Sequence, residues 1–333
     1  MLGAGAAQLG LLAAARSRGL FVIAADRDPG APGFRHADRR AIVSIEDEPA
    51  LERLAEAQRI DGVIAPGGEA AVGAAARIAW RLGLSHPISP ETAVLSTSKL
   101  RQRERLAEAG VPQTGWKVVS TADEVVGVPC VVRSPDRPGR GARALVRSSR
   151  ELRRALSAAL RASRIGLCLV EEVVEQPVVT VTGFSAGGVF HPLTVTDRLP
   201  SADVWESAHA EAAAALAERA AEVLQIAAGP TVTRVRIDPD GPKVLDVGAG
   251  LGAAHQAELC RAALGVDLDT LALSSALGER ISGRRLRPRR LVGAACIRFF
   301  PGAEPVLATG TDRAEALERV ECVPFPAADA QVV

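Results

Sequence analysis

The residues best suited to chemistry in this chain are cations set beside glycines. Between Ser134 and Arg143 a loop carries Gly139 and Gly141, which leave backbone N–H groups exposed, and Arg137, Arg140 and Arg143, which could face phosphate. Lys99 opens a helical stretch and is scarce by type, since Lys117 and Lys243 are the only other lysines in an arginine-rich chain. Such a set suits the covering of an anion; a solvated helix-start lysine and a plain glycine loop are the competing readings. His36, His86, His191, His209 and His255 have no metal spacing and read as helix-end or surface residues. No serine lies in G-x-S-x-G, and Cys260 has only His255 near it in sequence, a weak dyad. The turn Gly3 to Gly10 departs from G-x-G-x-x-G, so although Asp26 could meet a ribose, no dinucleotide site is expected.

Positioning these groups takes an α/β framework. In the first third, short β-branched runs alternate with alanine-rich stretches, the pattern of βαβ units in a parallel sheet. Gly3-Ala4-Gly5 leads into a helix over Gln8–Arg18, Phe21–Ala25 reads as a strand ending at Asp26, and Pro49–Gln58 reads as a helix. A strand over Gly62–Ala65 and a helix over Glu69–Leu82 follow. Met1 and Leu2 are all that precede the glycine turn, so a first strand is nearly missing and a truncated or late-start form of a longer reading frame is expected. Ser89-Pro90-Glu91 caps a new helix and Lys99–Ala109 forms another ending at Gly110, which puts a boundary near residue 88.

Strands at Trp116–Ser120 and Pro129–Arg133, the glycine loop, a strand at Ala144–Val146, a helix at Ser149–Arg161 and a strand at Leu167–Glu171 make a small subdomain. Beyond Val173 an antiparallel sheet is expected, with strands Val178–Phe184 and Val189–Thr196 and a helix over Ala210–Ile226. Strands Thr231–Ile237 and Lys243–Val247 are then joined by the turn Asp238-Pro239-Asp240-Gly241. Arg290–Glu321 reads as a strand pair and a short helix.

At 333 residues, 47% hydrophobic and 24% charged, the chain can build more than one packed unit and is too apolar for disorder. Its 40 Lys+Arg against 39 Asp+Glu leave a net charge of +1, so no broad basic face and no nucleic-acid partner is expected. The 5 cysteines, Cys130, Cys168, Cys260, Cys296 and Cys322, lie singly in apolar runs, as reduced thiols of a cytoplasmic protein would. The uncharged stretches Met1–Ala15 and Gln176–Thr196 are broken by Gly3, Gly5, Gly10, Pro177, Gly187, Gly188 and Pro192, so neither a signal peptide nor a membrane span is expected.

Several strings then fall in a telling order: Gly3 to Gly10 with Ala25-Asp26; Ser98-Lys99-Leu100 through Val111-Pro112; Pro129 to Asp136 with Gly139 and Gly141; Leu169 to Val174; and Pro239 to Val247 through Leu251-Gly252 and His255. Together, over nearly the whole chain, they resemble the ATP-grasp superfamily, in particular its carboxylate-amine ligases and relatives of the carbamoyl-phosphate synthase large chain. The resemblance implies an α/β and α+β fold. Its parts are an N-terminal Rossmann-like parallel domain over 1–88, hinge helices over 89–113, a lid subdomain over 114–172, an antiparallel α+β body over 173–289 and a strand-helix segment over 290–333. It also implies ATP between two sheets, with Lys99, Arg133, Gly139 and Gly141 on phosphate and Glu171, Glu172 and Val173 at the adenine hinge. The family's reaction phosphorylates a carboxylate and lets an amine attack the acyl phosphate, which needs charge and Mg²⁺ more than a nucleophilic side chain.

The chain departs from that pattern around the metal. Arg133 replaces a second lysine, keeping the charge but changing its shape. Arg234 stands where the family has Glu or Gln, and the family's acid, Asn and Arg at alternate positions become Asp246, Gly248 and Gly250. Asp246 is then the one expected ligand for Mg²⁺, which takes several oxygens. A ribose-binding Glu falls at Val178, and only Trp205, Glu206 and His209 are candidate substrate contacts. The expectations are therefore either a carboxylate-amine ligase acting on a small-molecule carboxylate and amine, or a non-catalytic binding protein, as a homodimer or a partner subunit. Arg234 is expected to share a strand face with Asp246 and to pair with it where the metal would sit.

Overall fold

The structure, a computed structural model, describes residues 1–125, 127–136, 142–174, 177–197, 207–252, 255–289, 297–299 and 330–332. After the glycine turn comes α1 (Leu9–Ser17), then β1 (Ile23–Asp26), which pairs in parallel with β2 (Arg39–Ile42), then α2 (Glu48–Gln58) and α3 (Glu69–Arg81). Asp26 is engaged by the turn itself: its carboxylate accepts the N–H of Ala4 at 2.9 Å and of Asp28 at 3.0 Å. The segment expected as a strand over Gly62–Ala65 is not a strand and forms no ladder. Only Leu2 reaches it, donating to Ile64 O at 2.9 Å while lying opposite Ala25 on its other side. A two-residue strand between two neighbours is too short for a ladder. The edge strand β2 gave no signal in sequence, because Arg-Arg-Ala-Ile has no period of two.

Helix α4 (Pro90–Thr97) is capped as the sequence predicts, Ser89 Oγ accepting the Thr92 N–H at 3.2 Å, and α5 (Lys99–Glu108) is capped in the same way by Ser98, whose Oγ accepts the Arg101 N–H at 3.5 Å. An antiparallel sheet follows, made of β3 (Trp116–Val119), β4 (Cys130–Arg133), β5 (Arg143–Val146) and β6 (Cys168–Glu172) in the order β3-β6-β4-β5. Its strands turn Val119, Cys130, Val132, Val146 and Cys168 onto Leu152, Leu156 and Ala159 of α6 (Ser149–Ala162). Since strand side chains alternate, Arg133 leaves on the opposite face.

The second sheet, in the order β10-β9-β7-β8, is also antiparallel: β7 (Val178–Ala186), β8 (Val189–Asp197), β9 (Gly229–Asp238) and β10 (Gly241–Ala249). Helix α7 (Ser207–Val223) starts and ends earlier than its expected bounds; Gln225 at φ 60° turns the chain out of the helix. It covers one sheet face, where Ala213, Leu216, Ala217 and Ala220 pack with Val179, Val181, Val235, Val244 and Val247. Helices α8 (Gln256–Leu264) and α9 (Leu268–Ala276) pack beside α1, whose Gly10 makes the approach possible. A Cβ at Gly10 would lie 3.0 Å from Asp269 Oδ2 and 3.3 Å from Glu258 Oε1. Short strands β11 (Ile297–Phe299) and β12 (Ala330–Val332) pair antiparallel.

Cys130, Cys168 and Cys260 are buried free thiols, and burial pushes Cys168 and Cys260 up to about 11. Cys296, Cys322, Trp205, Glu206, the loop with Gly139 and Gly141, and most of the segment expected over Arg290–Glu321 lie outside the described residues. Among the described residues no helix is long and apolar enough to cross a membrane.

Candidate anion site between the two antiparallel sheets

Arg234 and Asp246 meet because the register of their hairpin slips. The Pro239-Asp240 turn sets Gly241 opposite Asp238 and Val244 opposite Val235, a count that would bring Leu245 to Arg234. A bulge between Val244 and Asp246 brings Asp246 there instead. Arg234 Nε donates to Asp246 Oδ1 at 3.1 Å and Oδ2 at 3.0 Å, and its Nη2 completes a forked pair. Thr180 of β7 is the next residue across from Arg234, so all three share the face away from α7. Arg234 is 44% exposed and Asp246 18%, so the face is reachable by a ligand.

Two further cations reach this face from other elements. Lys99 Nζ lies 3.9 Å from Asp246 Oδ2, with its side chain 8% exposed, while its backbone N–H donates to Pro135 O at 3.1 Å, just beyond β4. Arg133, at the end of β4, has Nη1 3.7 Å from Glu171 Oε2, and its Nε is buried with no hydrogen-bond partner. Burial alone would push the Asp246 carboxyl up. The fields of Lys99, Arg234 and Arg133 and the hydrogen bond from Arg234 overcome that and hold it well below the usual carboxylate range. Asp246 is thus an anion under three cations.

Sequence reasoning missed how the rest is tied together. Lys99, Gln102 and Arg103 stand three and four residues apart on the buried face of α5. Gln102 pairs with Val247 as a strand would, Nε2 donating to the carbonyl at 2.7 Å and Oε1 accepting the N–H at 3.0 Å. Arg103 binds Glu171 Oε1 through Nε at 3.1 Å and Nη2 at 2.5 Å, and reaches Val244 O, Gln113 and Thr114 at 3.2 Å each. One buried arginine therefore fastens the end of β6 to β10. Polar residues at helix-core spacing were the available signal. Glu172 accepts from Arg236 Nη1 at 2.9 Å, and Val173 follows β6 directly.

The two glycines after Asp246 differ. A Cβ at Gly248 would come no nearer than 3.8 Å to Val232 O, so the position has room for a side chain. Gly250 lies past the end of β10 at φ 140°, and a Cβ there would stand 3.0 Å from Pro66 O. Gly250→Asn is expected to cost about 1–3 kcal/mol, and Gly248→Asn to stay within about 0.5 kcal/mol of wild type. Urea unfolding of the two variants checks this, and equal losses would contradict it.

No protein-family model matches the chain. Over 185 residues it is 29% identical to a formate-dependent phosphoribosylglycinamide formyltransferase of Burkholderia cenocepacia, which covers 53% of this chain and 46% of that protein. The match therefore spans less than half the length of the curated relative. By structure the chain is similar to the L-amino acid ligase of Bacillus licheniformis, with TM-score 0.77 and 19% identity over 99% of this chain and 91% of that one. It is similar too to the biotin carboxylase domain of the Hydrogenobacter thermophilus 2-oxoglutarate carboxylase, crystallised with MgADP, ADP and bicarbonate, with TM-score 0.73 and 19% identity over 99% and 84%.

A parallel α/β unit followed by two antiparallel sheets that face each other across a cationic site defines a two-sheet clamp. That clamp is the ATP-grasp fold, in agreement with the resemblance carried by the sequence strings.

Proposed function

We propose that this protein binds the phosphates of an adenine nucleotide without a metal and does not run the ligase reaction. The observation that carries this reading is the Arg234–Asp246 pair on the floor of the clamp. Mg²⁺ does not suit the donor set there. Asp246 already accepts from Arg234 and lies beneath Lys99, Gly248 brings no oxygen of its own, and no group of three acids, histidines or cysteines among the described residues could hold a metal. An anion suits it better: Lys99 and Arg133 supply charge, and the buried Nε of Arg133 has a donor to offer. Backbone groups of Glu171 to Val173 would hold adenine, with Gly139 and Gly141 covering phosphate. The parts expected over 1–88, 89–113, 114–172, 173–289 and 290–333 belong to the same proposal, as does a cytoplasmic setting, which the buried thiols support. As a non-catalytic protein it would act as a homodimer or as the nucleotide-binding subunit of a partner.

Titration calorimetry with ATP tests this: Mg²⁺ is expected to change the affinity by less than about tenfold, or 1.4 kcal/mol. Arg234→Glu combined with Gly248→Asn restores two oxygen-bearing side chains and is expected to make binding Mg²⁺-dependent. A second reading, an ATP-dependent carboxylate-amine ligase, is favoured by Lys99 at the phosphate-lysine position and by the positive charge that Arg133 keeps beside it. A large Mg²⁺-driven gain in wild-type affinity, with phosphate release that needs an added carboxylate and amine, would establish it and overturn the first.

A further inference from the structure

At the edge of the second sheet farthest from β10, a cavity of about 580 Å³ lies between β8 and the segment that follows α9. In the order β10-β9-β7-β8, β7 separates β8 from the strands that carry Arg234 and Asp246, so this cavity is not part of the clamp. His191 of β8 lines one side, Arg284 and Arg287 line the other, and Leu286 and Pro288 supply an apolar wall. Among the described residues no carboxylate lines it. Nearby arginines are matched, Arg18 by Glu279, Arg261 by Asp267 and Asp269. The side chains of Arg284, Arg287 and His191, by contrast, have no ion pair or hydrogen bond among the described residues.

Local geometry puts the two guanidiniums side by side. Gly283–Leu286 is a 3-10 turn, in which residues three apart project from one side, and Arg284 and Arg287 have that spacing. Arg285, between them, turns away and donates from Nη1 to Ser274 Oγ of α9 at 3.3 Å. The segment is held in place: Leu286 is buried with Val266, Leu268 and Leu271, and Arg289 N–H donates to Leu264 O at 2.8 Å. The stems of Arg284 and Arg287 are therefore fixed while their heads are exposed. A Cβ on Gly283 would stand 3.6 Å from His191 Cε1, so the glycine keeps the gap beside the imidazole open.

We infer that this cavity is a second anion site, for a phosphate monoester with a small organic body. Planar guanidinium forks match pairs of phosphate oxygens, and the His191 ring adds a further N–H. A phosphate monoester has an oxygen for each of the three side chains, whereas a carboxylate has too few. The volume is within the range of about 300–1,000 Å³ that small-molecule sites span, so a bare phosphate would leave Leu286 and Pro288 uncovered.

The test is histidine NMR of the full chain titrated with phenyl phosphate, inorganic phosphate or benzoate, the His191 ring signal being identified by its loss in His191→Asn. Phenyl phosphate is expected to shift that signal and to bind at least about threefold more tightly than either other probe. Arg284→Gln combined with Arg287→Gln is expected to weaken its binding at least about tenfold. Gly283→Val, which keeps both arginines and fills the gap beside His191, is expected to do the same. A His191 signal unmoved up to about 10 mM phenyl phosphate would overturn the proposal. So would a shift that both variants leave intact. Benzoate binding as tightly as phenyl phosphate would overturn the phosphate assignment, and inorganic phosphate doing so would overturn the organic body.

Discussion

Arg103→Met is expected to destabilise the protein by about 3–5 kcal/mol, the scale for breaking a buried ion pair from one side. The arginine side chain is 4% exposed and Glu171 12%, so little water can replace the lost contact. Arg133 stays 3.7 Å from Glu171 and covers part of the charge, but Val244 O, Gln113 and Thr114 lose a donor as well. Glu171→Gln added to Arg103→Met removes the stranded charge and is expected to recover part of the loss, so the two effects are not additive. Urea unfolding of the single and double variants measures this. A loss below about 1 kcal/mol for Arg103→Met would mean the pair behaves as a surface bridge. Because the same residue ties β6 to β10, nucleotide affinity measured on the folded fraction is expected to fall too.

Asp269→Asn is expected to have the second large effect, in the stabilising direction and only at high pH. Burial pushes the Asp269 carboxyl up to about 7, with the charges of Glu258 and Asp267 adding to the rise and Arg261 opposing it. The groups around it are Glu258 and Arg261 on α8, Asp267 before α9, and His255, whose Nδ1 lies 3.3 Å from Glu258; α1 presents only Gly10. The folded state therefore holds a proton that the unfolded chain, titrating near 3.9, gives up. Stability from this group is present below about pH 4 and is lost as the pH rises toward 7, on the order of 4 kcal/mol in all. Asparagine cannot ionise. At pH 8 the variant is expected to exceed wild type by roughly 2–4 kcal/mol, and at pH 4 to match it within about 1 kcal/mol. Urea unfolding at the two pH values decides; a difference that does not change with pH would refute the proton-holding role.

Much of the architecture was legible because it rests on local rules. Ser89 caps its helix by a short-range bond, and the leucines of α6 repeat at helical spacing. The Asp-Pro-Asp-Gly turn forces a hairpin whatever surrounds it. Arg133, Arg234 and Asp246 were legible as charged residues on cleft-facing positions, since a period of two assigns the face once the strands are known. Arg39–Ile42 was not, because an exposed edge strand carries no apolar alternation.

The tertiary structure alone decided which partners those residues have. The bulge that sets Asp246 rather than Leu245 across from Arg234 is one residue of slip, and nothing local in Lys-Val-Leu-Asp announces it. Gln102 finds Val247 and Arg103 finds Glu171 across 145 and 68 residues of chain, where helical spacing names the buried face but not what it meets. Gly248 and Gly250 look alike in sequence and differ only because Pro66 lies against one of them. Sequence determined the elements, their faces and the charges they carry, because these follow from backbone geometry and side-chain type. Register, long-range pairing and the proton held by Asp269 were set only when the chain closed on itself, because they depend on which atoms exclude water from which.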